Sequence, residues 1–285
     1  MSKKYGNLNV LKDISFSIRS GEVVGLLGLN GAGKTTLMNC ITGITNLDKG
    51  IIQFNKINLL HNKSILSKFG VLINPVFLNY LSIIDNLRVL GFYSGLSKKE
   101  LDIEIPELIK LVGLDGKENA KPEELSFGQR QKLGVVQSFL GNKEVLILDE
   151  PFIGQDYKGT EILMQELVNK AKSEGMMVLL SSHEYDFLEK ICDRYIIIKD
   201  GLVIFDGKFE RSIKYQIKIN SINNSMDIED GTIIHVEDND KFIDKIKEYP
   251  RDVIEFTTEE VETLEDFFRK LVAWEREFIN KCGNI

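Results

Sequence analysis

Cysteine is scarce in this sequence. Cys40, Cys192 and Cys282 are odd in number and far apart, which leaves neither a disulfide framework nor a paired zinc-ligand spacing. They read as reduced structural thiols. Long apolar runs are also missing: none approaches the roughly 20 residues that span a bilayer. The opening Met1-Ser2-Lys3-Lys4-Tyr5 has no apolar signal-peptide core, so the chain is expected to stay in the cytosol. Positive charge is not in excess either. Lys and Arg number 36 against 43 Asp and Glu, a formal net charge of -7, which argues against a large basic surface for phosphate backbones. No nucleic acid is expected as a main partner.

What is present is ordinary for a globular chain: 43% hydrophobic and 28% charged residues over 285 positions. That length suits one large domain and a small one. Leu8, Val10, Leu11, Ile14, Phe16 and Ile18 alternate broadly, and Arg19-Ser20-Gly21-Glu22 forms a turn before the apolar run 23–27, so two strands are expected to open the domain. Further short apolar runs at 71–73, 145–148, 178–180 and 195–198 are mostly separated by helix-length stretches, the pattern of a largely parallel α/β sheet. Asp200-Gly201 between the runs 196–199 and 202–205 predicts a tight hairpin, because both positions tolerate positive φ.

Past about Gly207 the composition shifts to acidic, Asn-rich stretches at 223–230 and 237–240. The division expected is 1–207 and 208–285. Within the second part, 215–219, 232–236 and 253–256 read as strands, and 242–249 and 261–274 as helices, giving a small α+β unit. A partly disordered acidic tail is the alternative.

Gly28-Leu29-Asn30-Gly31-Ala32-Gly33-Lys34-Thr35-Thr36 follows the apolar run 23–27 and precedes a helical 36–41, the setting of a phosphate-binding loop. Its glycines let backbone N–H groups wrap phosphates, and the following helix points its positive end at the same anion. Lys34 adds a mobile charge, and the Thr35 hydroxyl suits a Mg²⁺ ion bridging outer phosphates. The run 145–148 ends in Asp149-Glu150-Pro151, two carboxylates where α/β sheets place ligand sites. Asp149 is expected to hold the magnesium through water, and Glu150 to act as a general base on a water aimed at the γ-phosphate.

Leu125-Ser126-Phe127-Gly128-Gln129-Arg130-Gln131, lying between that loop and the acidic pair, resembles the signature sequence of the ABC ATPases. Locally, Ser126 with Gln129 is also a capping box opening a helix to about Leu140. The resemblance covers 1–207. It implies an α/β phosphate-loop core with an N-terminal antiparallel β subdomain and a helical subdomain at about 74–140, carrying the small C-terminal α+β appendage. It further implies that Ser126, Gly128 and Gln129 grip ATP bound to a second subunit, in a head-to-tail homodimer or pseudo-symmetric heterodimer. By the same resemblance His183, within Ser181-Ser182-His183-Glu184, contacts the γ-phosphate and orients Glu150, Tyr5 lies against adenine, and Asp156 makes a cross-dimer contact.

Two departures stand out. Gln155 replaces the usual Leu of Gly154-Gln155-Asp156, and Asn74 occupies the place of a Gln or Glu that contacts the metal. Asn is one methylene shorter and reaches a metal less far. The resemblance, including 262–268, is to separate-chain ATP-binding subunits of transporters, among them peptide-antibiotic exporters and immunity transporters. The expectation is therefore an ATP- and Mg²⁺-dependent subunit on the cytoplasmic face of the membrane, driving transport, in the export direction, through separate membrane subunits. A soluble ABC ATPase of DNA maintenance or translation, and a regulatory ATPase without turnover, are the alternatives.

Overall fold

The computed structural model describes residues 1–219, 232–236 and 253–282. The helix expected at 242–249 lies outside the described residues. Two compact units are present, Met1–Lys208 and Phe209–Ile285.

The first unit is built on a six-stranded sheet. Its strands are β3 (Val23–Leu27), β6 (Phe69–Leu72), β7 (Val145–Asp149), β8 (Met177–Ser181), β9 (Arg194–Lys199) and β10 (Leu202–Gly207), in the order β10-β9-β3-β8-β7-β6. All neighbours are parallel except β10, which returns antiparallel to β9. β3 is buried at every residue, as expected of a strand covered on both faces. The parallel arrangement brings the carboxyl ends of β3, β8, β7 and β6 to one edge. Asp200 and Gly201 take φ values of 49° and 79°, so the expected hairpin turn forms.

The alternating stretch 8–18 does not form one strand. The chain turns at Asp13, whose φ is 51°, and β2 (Leu8–Leu11), which pairs with β1 (Lys3–Tyr5), ends two residues before it. Past Leu11 the backbone is held by single bonds: Lys12 N–H to the Gly201 carbonyl and Ile14 N–H to the Met1 carbonyl, both at 2.8 Å. Alternation survives as burial, with Ile14 in the core and Phe16 and Ile18 packed against it. Outside the six-stranded sheet, the antiparallel strands of this unit form two short pairs, β1-β2 and β4-β5 (Gln53–Phe54 and Ile57–Asn58).

Residues 74–140 hold α2 (Ile83–Tyr93), α3 (Lys98–Leu111) and α4 (Phe127–Phe139). Each begins at a serine, Ser82, Ser97 or Ser126, whose side chain accepts from a backbone N–H of the first turn, satisfying one of the unpaired donors there. The remaining helices are α1 (Lys34–Ile41), α5 (Tyr157–Glu174) and α6 (Tyr185–Ile191). α5 stops at Gly175, φ 72°, a left-handed position that glycine takes without strain.

In the second unit β11 (Ser212–Ile219) lies between β12 (Thr232–Val236) and β13 (Val253–Glu262), antiparallel to both. β13 runs on to Glu262, so the helix expected from 261 begins later: α7 spans Leu264–Cys282. Thr263 sets its start, accepting from Asp266 N–H at 3.2 Å through its hydroxyl. Leu264 and Phe268 of α7 are buried.

Candidate nucleotide site

β3 delivers the chain to Gly28, and the loop that follows is shaped by close approaches. A Cβ on Gly28 would sit 2.5 Å from the Ile198 carbonyl oxygen, and one on Gly33 would sit 2.9 Å from Leu11 Cδ2. Gly33 (φ 109°) precedes α1 and offers no side-chain cap, so the first-turn N–H groups of α1 remain donors for an anion. Gly31 (φ 84°) faces open space, and Leu29 and Asn30 are exposed beside it. Ala32 is buried, its carbonyl accepting from Gly201 N–H at 3.2 Å, so the β9-β10 turn braces the loop. Lys34 Nζ arches back over the loop to the Gly28 carbonyl at 2.6 Å. Thr36 is half-buried on α1.

Thr35 and Asp149 meet from opposite parts of the sheet edge. The Thr35 hydroxyl donates to Asp149 Oδ2 at 2.8 Å, and Ser181 Oγ donates to Asp149 Oδ1 at 2.5 Å. Glu150 has φ 53°, a left-handed conformation that costs a non-glycine residue about 1–3 kcal/mol. It is held there by its N–H, which donates to the Ser181 carbonyl at 3.2 Å and to Ser181 Oγ at 3.3 Å. His183 N–H donates to Glu150 Oε2 at 3.3 Å, and His183 Nε2 lies 3.4 Å from Glu150 Oε1. Ser181 was not singled out from the sequence. The signal for it is a hydroxyl ending an apolar strand, and its meaning comes from the β7-β8 register, which pairs Asp149 with Ser181.

Burial raises the Glu150 carboxyl above its ordinary pKa, and Asp149 adds to this, while His183 and Lys34 pull it back. Burial also lowers the Lys34 ammonium, an effect that Asp149 and Glu150 partly offset. The site therefore holds opposite charges at close quarters under partial desolvation.

The other sequence-derived residues lie in separate places. Ser126 and Gln129 bond reciprocally as a capping box at the start of α4, 3.3 Å and 3.1 Å. Gly128 touches Gly154. Asp156 caps α5, accepting from Gly159 N–H at 2.7 Å. Tyr5 on β1 is 50% exposed, with Lys3 Nζ 5.3 Å from its ring centre. Asn74 is exposed with φ 47°, two residues past Leu72, which pairs with Leu148. It stands at the same strand edge as Asp149, but the bonds that fix Asp149 and Glu150 come from Thr35, Ser181 and His183.

Among the described residues no three His, Cys, Asp or Glu side chains cluster as a metal cage. The Thr35 hydroxyl and Asp149 carboxylate form an all-oxygen pair, which fits Mg²⁺, a hard ion that keeps waters and completes its shell from phosphates.

A glycine-lined loop feeding a helix terminus, with lysine above and two strand-end carboxylates beneath, defines an ATP-binding phosphate-loop α/β protein. The chain belongs to the ABC transporter family, whose model matches residues 11–153. Over 270 residues it is 32% identical to an uncharacterized ABC transporter ATP-binding protein of Methanocaldococcus jannaschii, covering 94% of this chain and 95% of that one. It is also 32% identical over 210 residues to a methionine import ATP-binding protein of Oceanobacillus iheyensis, covering 72% of this chain and only 61% of the relative. Among solved structures, an ATP binding subunit of an ABC transporter superposes with a TM-score of 0.68 at 32% identity, over 73% of this chain and 87% of that one. A dimeric ATP-binding cassette in a post-hydrolysis state with ADP and phosphate shares the fold, with a TM-score of 0.67 at 24% identity, over 73% of this chain and 95% of that one. The chain is thus an ABC ATPase, using ATP and Mg²⁺.

Proposed function

We propose that the chain is the motor subunit of a membrane transporter, turning ATP hydrolysis into movement of separate membrane subunits. The observation that carries this reading is the joint anchoring of Asp149 by Thr35 and Ser181, with Glu150 held beside it by Ser181 and His183. The α1 terminus, the loop N–H groups and Lys34 bind and orient the phosphates. Thr35 and Asp149 would hold Mg²⁺, which supplies charge neutralisation on the outer phosphates. Glu150 accepts a proton from the water as its oxygen attacks the γ-phosphorus and the bond to ADP breaks. His183 orients Glu150 and the γ-phosphate.

Ser126, Gly128 and Gln129 present a helix start that suits the γ-phosphate held by a second ATPase subunit, identical or homologous, with Asp156 facing the same partner. ATP then favours the closed pair in proportion to its greater affinity for that state. Tyr5 is assigned to the adenine, and Asn74 to the metal's outer shell. The Met1–Lys208 unit carries these roles, and Phe209–Ile285 is an accessory unit.

Val76, Tyr80, Phe92 and Tyr93 are exposed at 85%, 73%, 53% and 89%. These exposed apolar side chains, all a little after Asn74 in the chain, support docking to a membrane subunit at the cytoplasmic face. No helix among the described residues is long and apolar enough to cross a membrane. Export follows from the resemblance to peptide-antibiotic transporters. Likeness to a methionine import subunit favours uptake as the second reading, although that match leaves 28% of this chain uncovered.

The test is affinity purification of the full chain from detergent-solubilised membranes, probed for a multispanning protein encoded beside it. Co-elution, lost when Tyr80, Phe92 and Tyr93 are changed to Ser, is the expected result. Recovery of the chain alone would overturn the transporter reading.

A further inference from the structure

The buried side-chain polar atoms that lack a hydrogen-bond partner among the described residues fall on two glutamines: Oε1 of Gln131, and both Oε1 and Nε2 of Gln155. Each of these atoms is shielded from bulk solvent. Unpaired buried groups are costly and rare, and each calls for an explanation.

The two glutamines flank the tightest backbone approach between α4 and the chain leading to α5. A Cβ on Gly154 would lie 2.3 Å from Gly128 Cα, and one on Gly128 would lie 2.8 Å from Gly154 Cα. Gln131 follows Gly128 by three residues on α4, a spacing that puts both on one face. Gln155 follows Gly154 directly. Gly159, in the first turn of α5, leaves the space that the Gln155 amide fills: a Cβ there would sit 2.8 Å from Gln155 Oε1. A glycine inside a helix weakens it, so this room is kept against the helix's own preference.

We propose that Gln155 is a positioning residue whose amide nitrogen donates to Gln131 Oε1 in the state that turns ATP over, fastening the loop after Glu150 to the helix that Ser126 caps. A bond from the Gln155 amide nitrogen to Gln131 Oε1 would satisfy two of the three unpaired atoms. The amides thus act as a latch: unpaired they disfavour the open arrangement, and paired they hold Glu150 and the α4 terminus in fixed relation. The proposal rests on the ATPase reading above.

The test is a double-mutant cycle on the full chain with Gln155→Leu, Gln131→Leu and both, read by melting temperature with and without ATP and Mg²⁺ and by steady-state hydrolysis. Without nucleotide the substitutions are expected to act independently and not to lower the melting temperature. With ATP and Mg²⁺ the nucleotide-induced rise is expected to shrink in each single variant and no further in the double, the mark of coupled residues. Each single variant is expected to lose roughly 3- to 10-fold in kcat, the scale of one coupling interaction, with KM within about 2-fold. Gln155→Met, which keeps the length without the amide, carries the test if the leucine variant fails to fold. Additive effects in both conditions, or an unchanged kcat, would overturn the latch. If the wild-type chain itself gains no stability from ATP and Mg²⁺, the ATPase reading fails and the latch falls with it.

Discussion

Thr35 and Asp149, 114 positions apart, are joined by a 2.8 Å hydrogen bond from the threonine hydroxyl to Oδ2. The first turn of α1 and the end of β7 are thereby locked into one oxygen-rich site. Thr35→Ala removes the hydroxyl and is expected to slow ATP hydrolysis by roughly 100-fold, the scale on which one preorganised polar group acts in a reaction site. Thr35→Ser restores it to within a few-fold. A phosphate-release assay across a magnesium titration checks both.

Glu150 couples its ionisation to stability through a half-buried carboxyl. Burial raises its pKa, so the folded chain binds that proton more tightly than the unfolded chain. The stability from this group is then fully present below the ordinary carboxylate pKa and is lost as pH rises through the raised value. Glu150→Gln, which removes the charge, is expected to melt higher than the wild type at pH 7, with the gap closing towards pH 4. Thermal melts at both pH values decide it, and a gap independent of pH would contradict the burial argument.

Asp156 supplies a cap to α5 through Gly159 N–H. Asp156→Ala is expected to cost about 1 kcal/mol, a fall of roughly 2–4 °C in melting temperature for a unit of this size, while Asp156→Asn keeps the acceptor and most of the stability. If ATP-dependent dimerisation weakens in Asp156→Asn without a change in melting temperature, Asp156 also serves the partner subunit.

The loop glycines are not equivalent. Gly28 has backbone against its Cβ position, the Ile198 carbonyl oxygen at 2.5 Å, whereas Gly31 has open space and only a positive φ. Gly28→Ala is expected to displace β9 from the loop and abolish ATP binding. Gly31→Ala is expected to cost about 1 kcal/mol, the left-handed penalty alone, and to weaken binding far less. Fluorescent-nucleotide titrations and melts of the two variants separate them.

Strands β3, β7, β8 and β9 were legible because strands buried on both faces must be apolar throughout, and the β9-β10 turn because Asp200-Gly201 tolerates positive φ. The phosphate loop was legible for a similar reason, since its chemistry is contained in nine consecutive residues. Residues 12–18 misled because alternation reports burial, not ladder bonding, and the chain there bonds singly to Gly201 and Met1. Ser181 was missed because its role comes from register against Asp149, a relation between strands 32 residues apart. The start of α7 moved to Leu264 because the chain up to Glu262 pairs in β13 before Thr263 caps the helix. The Gly128–Gly154 approach and the two unpaired glutamines likewise belong to packing alone.

In the proposed mechanism Glu150, set beside Asp149 by Ser181 and His183, drives hydrolysis of ATP held by the loop at residues 28–36. Phosphate release from ATP and Mg²⁺ by the purified full chain, measured beside Glu150→Gln with nucleotide binding checked in parallel, tests it most directly. Turnover is expected in the wild type, with a fall of about 100-fold or more in the variant, the usual contribution of a positioned base, and ATP still bound. Equal rates in the two proteins would contradict it.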